Sequence, residues 1–207
     1  RLPIPAHPAR LEASLWTNLL AGLGYVRSEP MIALLILLAG VPAVFVLNLF
    51  TFLPVYARDI LLIGAPGLGM LLAAVGLGSI AGAGAYAVLL PRGGSGRLLL
   101  AGLGSLAVFL AIFAWSENVP VSLAALAIYG ACQVAFYSTV QSLLQTLSTP
   151  RMRGRVMSLY MLMALGVAPL GSLLSGLVAE THGVQVALGG GAIVTFVAVV
   201  GTWLGSP

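Results

Sequence analysis

The sequence predicts an all-helical fold that crosses a membrane many times, and three observations carry that prediction. The chain of 207 residues is 60% hydrophobic and only 7% charged, where a soluble domain carries about 25% charged residues. Its mean hydropathy is +1.09. Its apolar residues are gathered into six continuous runs, each meeting or approaching the ~20 residues of helix that cross a bilayer core about 30 Å thick. Strands of a membrane barrel would alternate in segments of about ten residues, and these runs neither alternate nor stop so soon.

The chain opens on the polar, Pro-rich "RLPIPAHPAR", with neither an initiator Met nor a signal-peptide pattern, and so reads as a piece of something longer. In "LEASLWTNLLAGLGYV" the residues Leu11, Leu15, Leu19 and Leu23 fall at helical spacing, with Trp16 and Tyr25 suited to headgroup level. The pattern predicts an interfacial helix; the alternative is a mobile tether. The predicted spans are Met31 to Leu53, Pro66 to Leu90, Leu98 to Trp115, Val119 to Leu147, Val156 to Ala179 and Val184 to Trp203. The stretches between them, "PVYARDILLIGA", "PRGGSGR", "SENVP", "STPRMRGR" and "ETHG", carry the Pro, Gly and charge that mark connections.

All nine basic residues are arginines, and against five acids they give a net charge of +4. Every charge lies outside the span centres, as the cost of about 2.5 to 3.5 kcal/mol for a mid-membrane charge requires. The charges also alternate between the two ends of the bundle. One end carries +1 before the first span, +2 from Arg92 and Arg97, and +3 from Arg151, Arg153 and Arg155; the other carries 0, −1 and −1. The positive-inside rule therefore puts the arginine loops and both ends of this chain in the cytoplasm. The arginine loop has no interleaved aromatics and sits beside a span, so membrane lipid phosphate is its expected contact, at about 1 kcal/mol per arginine, and nucleic acid is not expected.

The polar residues inside the spans are the candidate binding groups. Tyr129, Gln133, Tyr137, Gln141 and Gln145 recur every four residues in the fourth span, and Asn48 and Thr51 share a face of the first. A buried amide facing lipid is costly, so these side chains face either a water-filled cavity or another helix. The first alternative makes Asn48, Thr51, Gln133, Tyr137 and Gln141 a substrate path. The second makes them interhelical glue, worth about 0.6 kcal/mol per contact. Gly78 with Gly82, Gly171 with Ser175, and Ser172 with Gly176 are small-residue pairs four apart, suited to close helix packing or to a sliding hinge. Pro42 and Pro169 predict bends.

Several chemistries are excluded. No span has an interior Asp, Glu, Lys, Arg or His, so an intramembrane hydrolase or a proton relay has no group to work with. His7 and His182 lie outside the spans without metal-ligand spacing, and "GLGSIAG" follows no strand, so neither a metal nor a nucleotide cofactor is expected. Cys132, the single cysteine, reads as a small core residue. The chain is not expected to be an enzyme.

"LPVYARDILLIGAPGLGMLLAAVGLGSIAGA" with "PRGGSGR", and "TPRMRGRVMSLYMLMALGVAPLGSLLSGLVAETHG", resemble the second half of a major facilitator superfamily transporter. The likeness is nearest to the bacterial branch of drug and siderophore exporters that includes enterobactin exporters and macrolide efflux proteins. "RGRVMSLY" followed by "PLGSLLSG" is its most specific part. The resemblance implies one six-helix half of that fold, built as an inverted three-plus-three repeat. Residues 1–29 would be part of the central cytoplasmic loop, and 30–207 the family's helices seven to twelve. Arg92, Gly96 and Arg97 match the family's cytoplasmic loop motif, with Pro91 in place of its acidic residue; Arg151, Arg153, Gly154 and Arg155 form the corresponding basic entry to the fifth span. The implied function is proton-driven export of an amphipathic small molecule, such as a drug or siderophore, from the bacterial inner membrane. The implied partner is the missing N-terminal half, which would also hold the coupling carboxylate. A non-transporting six-helix scaffold or sensor, or an autonomous dimerising carrier, are the other readings.

Overall fold

The computed structural model describes residues 15–89 and 95–205; Leu11, Pro91 and Arg92 lie outside the described residues, as do the side chains of Leu15, Trp16 and Leu19. Among the described residues there is no strand, and six helical stretches are long and apolar enough to cross a membrane. The expected helix ahead of the first span is present as α1, Leu15–Ser28.

The first span is a broken path from Pro30 to Ile60. Its opening helix α2, Pro30–Phe45, begins with a proline at a position where the missing N–H costs nothing. Three turns on, the carbonyl of Pro42 accepts from both Val46 and Leu47, each at 2.9 Å, and the chain leaves α2 to restart at α3, Leu49–Val55. Helix was expected to end near Leu53. It continues as one wide π-turn over Tyr56–Ile60, closed by Leu61 N–H donating to the Tyr56 carbonyl at 2.8 Å. Packing explains the difference: Tyr56 is fully buried, its ring lies 4.5 Å from that of Phe113, and its hydroxyl donates to the Ala114 carbonyl at 2.7 Å. That anchor carries the helix past the polar Arg58 and Asp59, which form an exposed ion pair at 2.7 Å.

The second and third spans are α4, Gly64–Leu89, and α5, Ser95–Ala114. The fourth, α6, Val119–Leu147, starts at Asn118, whose side chain accepts from the Val121 N–H at 3.4 Å and so satisfies one orphan donor of the first turn. The fifth span is broken like the first: α7, Arg153–Met161, passes through a π-turn at Leu162–Gly166 into α8, Ala168–His182, which has Pro169 in its first turn. Gly183, at φ +90°, makes the reversal into the sixth span, α9, Val184–Gly205, in a conformation that a Cβ would oppose.

α4 packs along α6, while α5 packs on both α6 and α9; α8 and α9 pack on α2. Exchanging the first three spans with the last three maps the pairs α4–α6 and α5–α6 onto α8–α2 and α9–α2. The closest approaches use small residues. A Cβ at Gly78, Gly82 or Gly130 would overlap backbone of the facing helix, at Ala127, Ala131 and Val75 in turn, and one at Gly171 would overlap Val44. Small residues do here what lipid cannot, since hydrocarbon offers no hydrophobic drive for helix association. Of the two small pairs in the fifth span, Gly171 with Ser175 faces the first span at Val44 and Asn48; Ser172 of the other pair also reaches Asn48, whereas Gly176 has nothing within 4 Å. One apolar core gathers around Tyr56, Phe113 and Tyr129 and a second around Ile32, Leu103 and Phe136.

Candidate functional site: the polar stripe of the first and fourth spans

The polar residues picked out in the first and fourth spans fall into two different settings. Asn48 sits at the break between α2 and α3, 2% exposed. Its amide nitrogen donates to the Val44 carbonyl at 2.6 Å and to Ser175 Oγ at 2.7 Å, and its Oδ1 accepts from Ser172 Oγ at 2.9 Å. Backbone freed by the break is thus re-satisfied by a side chain, and the same side chain pins the broken first span to α8. Thr51, one turn further, is exposed. These two residues share a helix face in sequence, but the break separates their surroundings.

The stripe on α6 is less enclosed. Tyr129 is fully buried and takes a long hydrogen bond, 3.5 Å, from Gln133 Nε2. Gln133, Tyr137 and Gln141 are half-buried, and Gln145 is exposed at the end of the helix. The Tyr137 hydroxyl is buried without a partner among the described residues. α7 packs on α6 and brings Tyr160, 2% exposed, beside the Gln141 end of the stripe. The result is an uncharged line of amides and phenols along one side of α6, extended by Tyr160 onto the fifth span. It can hydrogen-bond a polar ligand or water, and it holds no carboxylate, imidazole or amine that could carry a proton across at neutral pH.

Sequence reasoning did not assign Tyr160, Ser172 or Ser175 to this region. The serines were visible as small packing residues, but their hydroxyls gain a role only once Asn48 is placed opposite them. Tyr160 stands on a different span from the stripe, and only the packing of α7 on α6 brings it there.

The basic end of the bundle is built by α7 and α1. Arg151, Arg153 and Gly154 are exposed; Arg155 Nη1 approaches Met152 Sδ at 3.5 Å. α1 packs on α7, the Thr149 N–H donates to Tyr25 Oη at 3.4 Å, and a Cβ at Gly22 would already touch Leu159 and the Arg155 side chain. Gly96 and Arg97, at the start of α5, are exposed on the same end, and the motif's Arg92 lies outside the described residues. Cys132 is half-buried and packs against the core that holds Tyr56, Phe113 and Tyr129. It lines a 240 Å³ apolar cavity with Tyr86 and Ser105, which opens because α4 and α5 touch α6 more than each other. No group of three or more His, Cys, Asp or Glu that could hold a metal occurs among the described residues.

A family model described as transmembrane secretion effector matches residues 5–204. No curated protein and no solved structure matches the chain. With six apolar spans, paired broken helices and a match over nearly the whole length, the chain belongs to the transmembrane secretion effector family of the major facilitator superfamily, and is a multi-pass membrane protein of a transporter family.

Proposed function

We propose that this chain is the C-terminal six-helix half of a proton-driven exporter in the bacterial inner membrane. It moves an amphipathic small molecule, such as a drug or siderophore, by alternating access, with its arginine loops and both ends in the cytoplasm. The observation that carries this reading is the incomplete cover of the α6 stripe. Gln133 and Gln141 stand half-buried at membrane depth, where an amide left to hydrocarbon costs several kcal/mol. A water-filled cavity closed by a second six-helix half removes that cost. The sparse cover of the fifth span points the same way: 11% of its most apolar stretch is buried, against 50% for the first span. The resemblance of "RGRVMSLY" and "PLGSLLSG" to drug and siderophore exporters supplies the substrate class. Asn48 stands apart: its three hydrogen bonds favour a pin between the first and fifth spans.

Alanine at Gln133 or Gln141, in cells expressing the complete transporter, is expected to slow efflux of a fluorescent amphipathic dye at least threefold. Abundance and thermal unfolding should stay at wild-type values. Activity falling only in step with stability would reduce the stripe to interhelical glue and favour the scaffold reading.

A further inference from the structure

A cavity of about 760 Å³ opens at the arginine-bearing end of the bundle, between the start of α2, the start of α5, the end of α6 and the end of α9. Its size falls inside the range of about 300–1,000 Å³ typical of small-molecule sites. Leu35, Leu38, Leu99 and Leu143 line it, with Arg97 and Trp203 also on its wall. It does not belong to the polar stripe: Leu143 follows Gln141 by two residues, about 200° around the helix. The hydroxyl of Thr202, which also borders it, donates to the Ala198 carbonyl of its own helix at 2.7 Å, so little in the wall recruits a polar ligand.

The mouth is different in kind. The Arg97 side chain is exposed and has no ion pair or hydrogen bond among the described residues. Trp203 is 67% exposed, and an indole at the end of a span belongs at headgroup depth. Arg27, Arg151, Arg153 and Arg155 share this end with a single described acid, Glu29. An apolar chamber at the membrane surface, with an exposed guanidinium at its opening, complements one chemistry: a hydrocarbon chain joined to an anionic phosphate head. We propose that this cavity holds an acyl chain of one anionic membrane phospholipid, whose headgroup phosphate pairs with Arg97. The lipid would fill the space between α2, α5, α6 and α9 and brace the arginine-bearing end from the side away from the stripe. The proposal stands whether or not the chain transports.

Native mass spectrometry of the full-length protein released from detergent, loaded with phosphatidylglycerol or with phosphatidylcholine, tests it. The wild type is expected to retain one phosphatidylglycerol with about fivefold preference over phosphatidylcholine, the factor one basic residue supplies at a lipid surface. Arg97→Gln should level the two lipids, and Arg151→Gln, which leaves the cavity intact, should not. Leu34→Trp, filling the chamber from a partly exposed wall position, should lower retention of both lipids while circular dichroism shows unchanged helix. Undiminished preference in Arg97→Gln would overturn the proposal. So would equal loss in Arg151→Gln, which marks diffuse charge attraction, or full retention in a folded Leu34→Trp.

Discussion

Two glycines two residues apart on α4 give a test of the packing with its own control. Gly78 is buried against α6, and a Cβ there would overlap the backbone of Ala127; Gly76 is exposed, with nothing within 4 Å of the same added atom. Gly76→Ala should therefore be neutral or stabilising by at most about 1 kcal/mol, the propensity difference between the two residues in a helix. Gly78→Ala gains the same propensity but must push α4 and α6 apart. Because the clash is with main chain, no rotamer change relieves it, and overpacking of this kind costs roughly 1–3 kcal/mol. The two variants should differ by about 2 kcal/mol, or on the order of 30-fold in the folded-to-unfolded ratio. Unfolding in mixed micelles of rising denaturing-detergent fraction, followed by Trp fluorescence, reads the difference directly. Equal midpoints for the two variants would refute the α4–α6 contact as described. A loss at Gly76 exceeding that at Gly78 would mean that α4 turns its other face inward.

The remaining predictions concern the Asn48 pin, the topology and the coupling. Asn48→Ala removes three hydrogen bonds and, at about 0.6 kcal/mol each, should cost about 1–2 kcal/mol in the same unfolding assay; a loss below the resolution of that assay would show that the pin contributes nothing. Single cysteines at Ser95 and Thr149, in a Cys132→Ala background, should be shielded from an impermeant thiol reagent in intact cells, while one at Asn118 should label. The reverse pattern would invert the orientation. In liposomes under an imposed pH gradient, this polypeptide alone should show no substrate-dependent proton flux, since its span interiors hold no titratable carboxylate or imidazole, and co-expression with its N-terminal half should restore it. Robust coupled flux from residues 1–207 alone would refute both the half-transporter reading and the placement of the proton site.

How much of this was legible in the sequence depends on the length scale of each signal. Span number and approximate limits follow from solvation, because a bilayer makes every long apolar run a helix whatever its neighbours. The sixth span starts at Val184 and the fourth runs from Val119 to Leu147, as their apolar runs required. The use of Gly78, Gly82 and Gly171 as contact points was readable too, since small residues at spacing four have one strong physical use in lipid. Pro42 and Pro169 marked where the helices would bend. Sequence alone left open what each polar side chain meets, because a partner over a hundred residues away leaves no periodic trace. Asn48 and Gln133 read alike along the chain, each an amide inside an apolar span that faces either a cavity or another helix. Tertiary structure separated them, seating Asn48 between Ser172 and Ser175 and leaving Gln133 half-buried with one long bond to Tyr129. It also decided that helix continues to Ile60, through the burial of Tyr56 against Phe113, and that leucines from four separate spans enclose a chamber beside Arg97. Composition and local spacing set what each segment must be in a membrane; only the meeting of distant segments sets which groups are satisfied and which are left to receive something else.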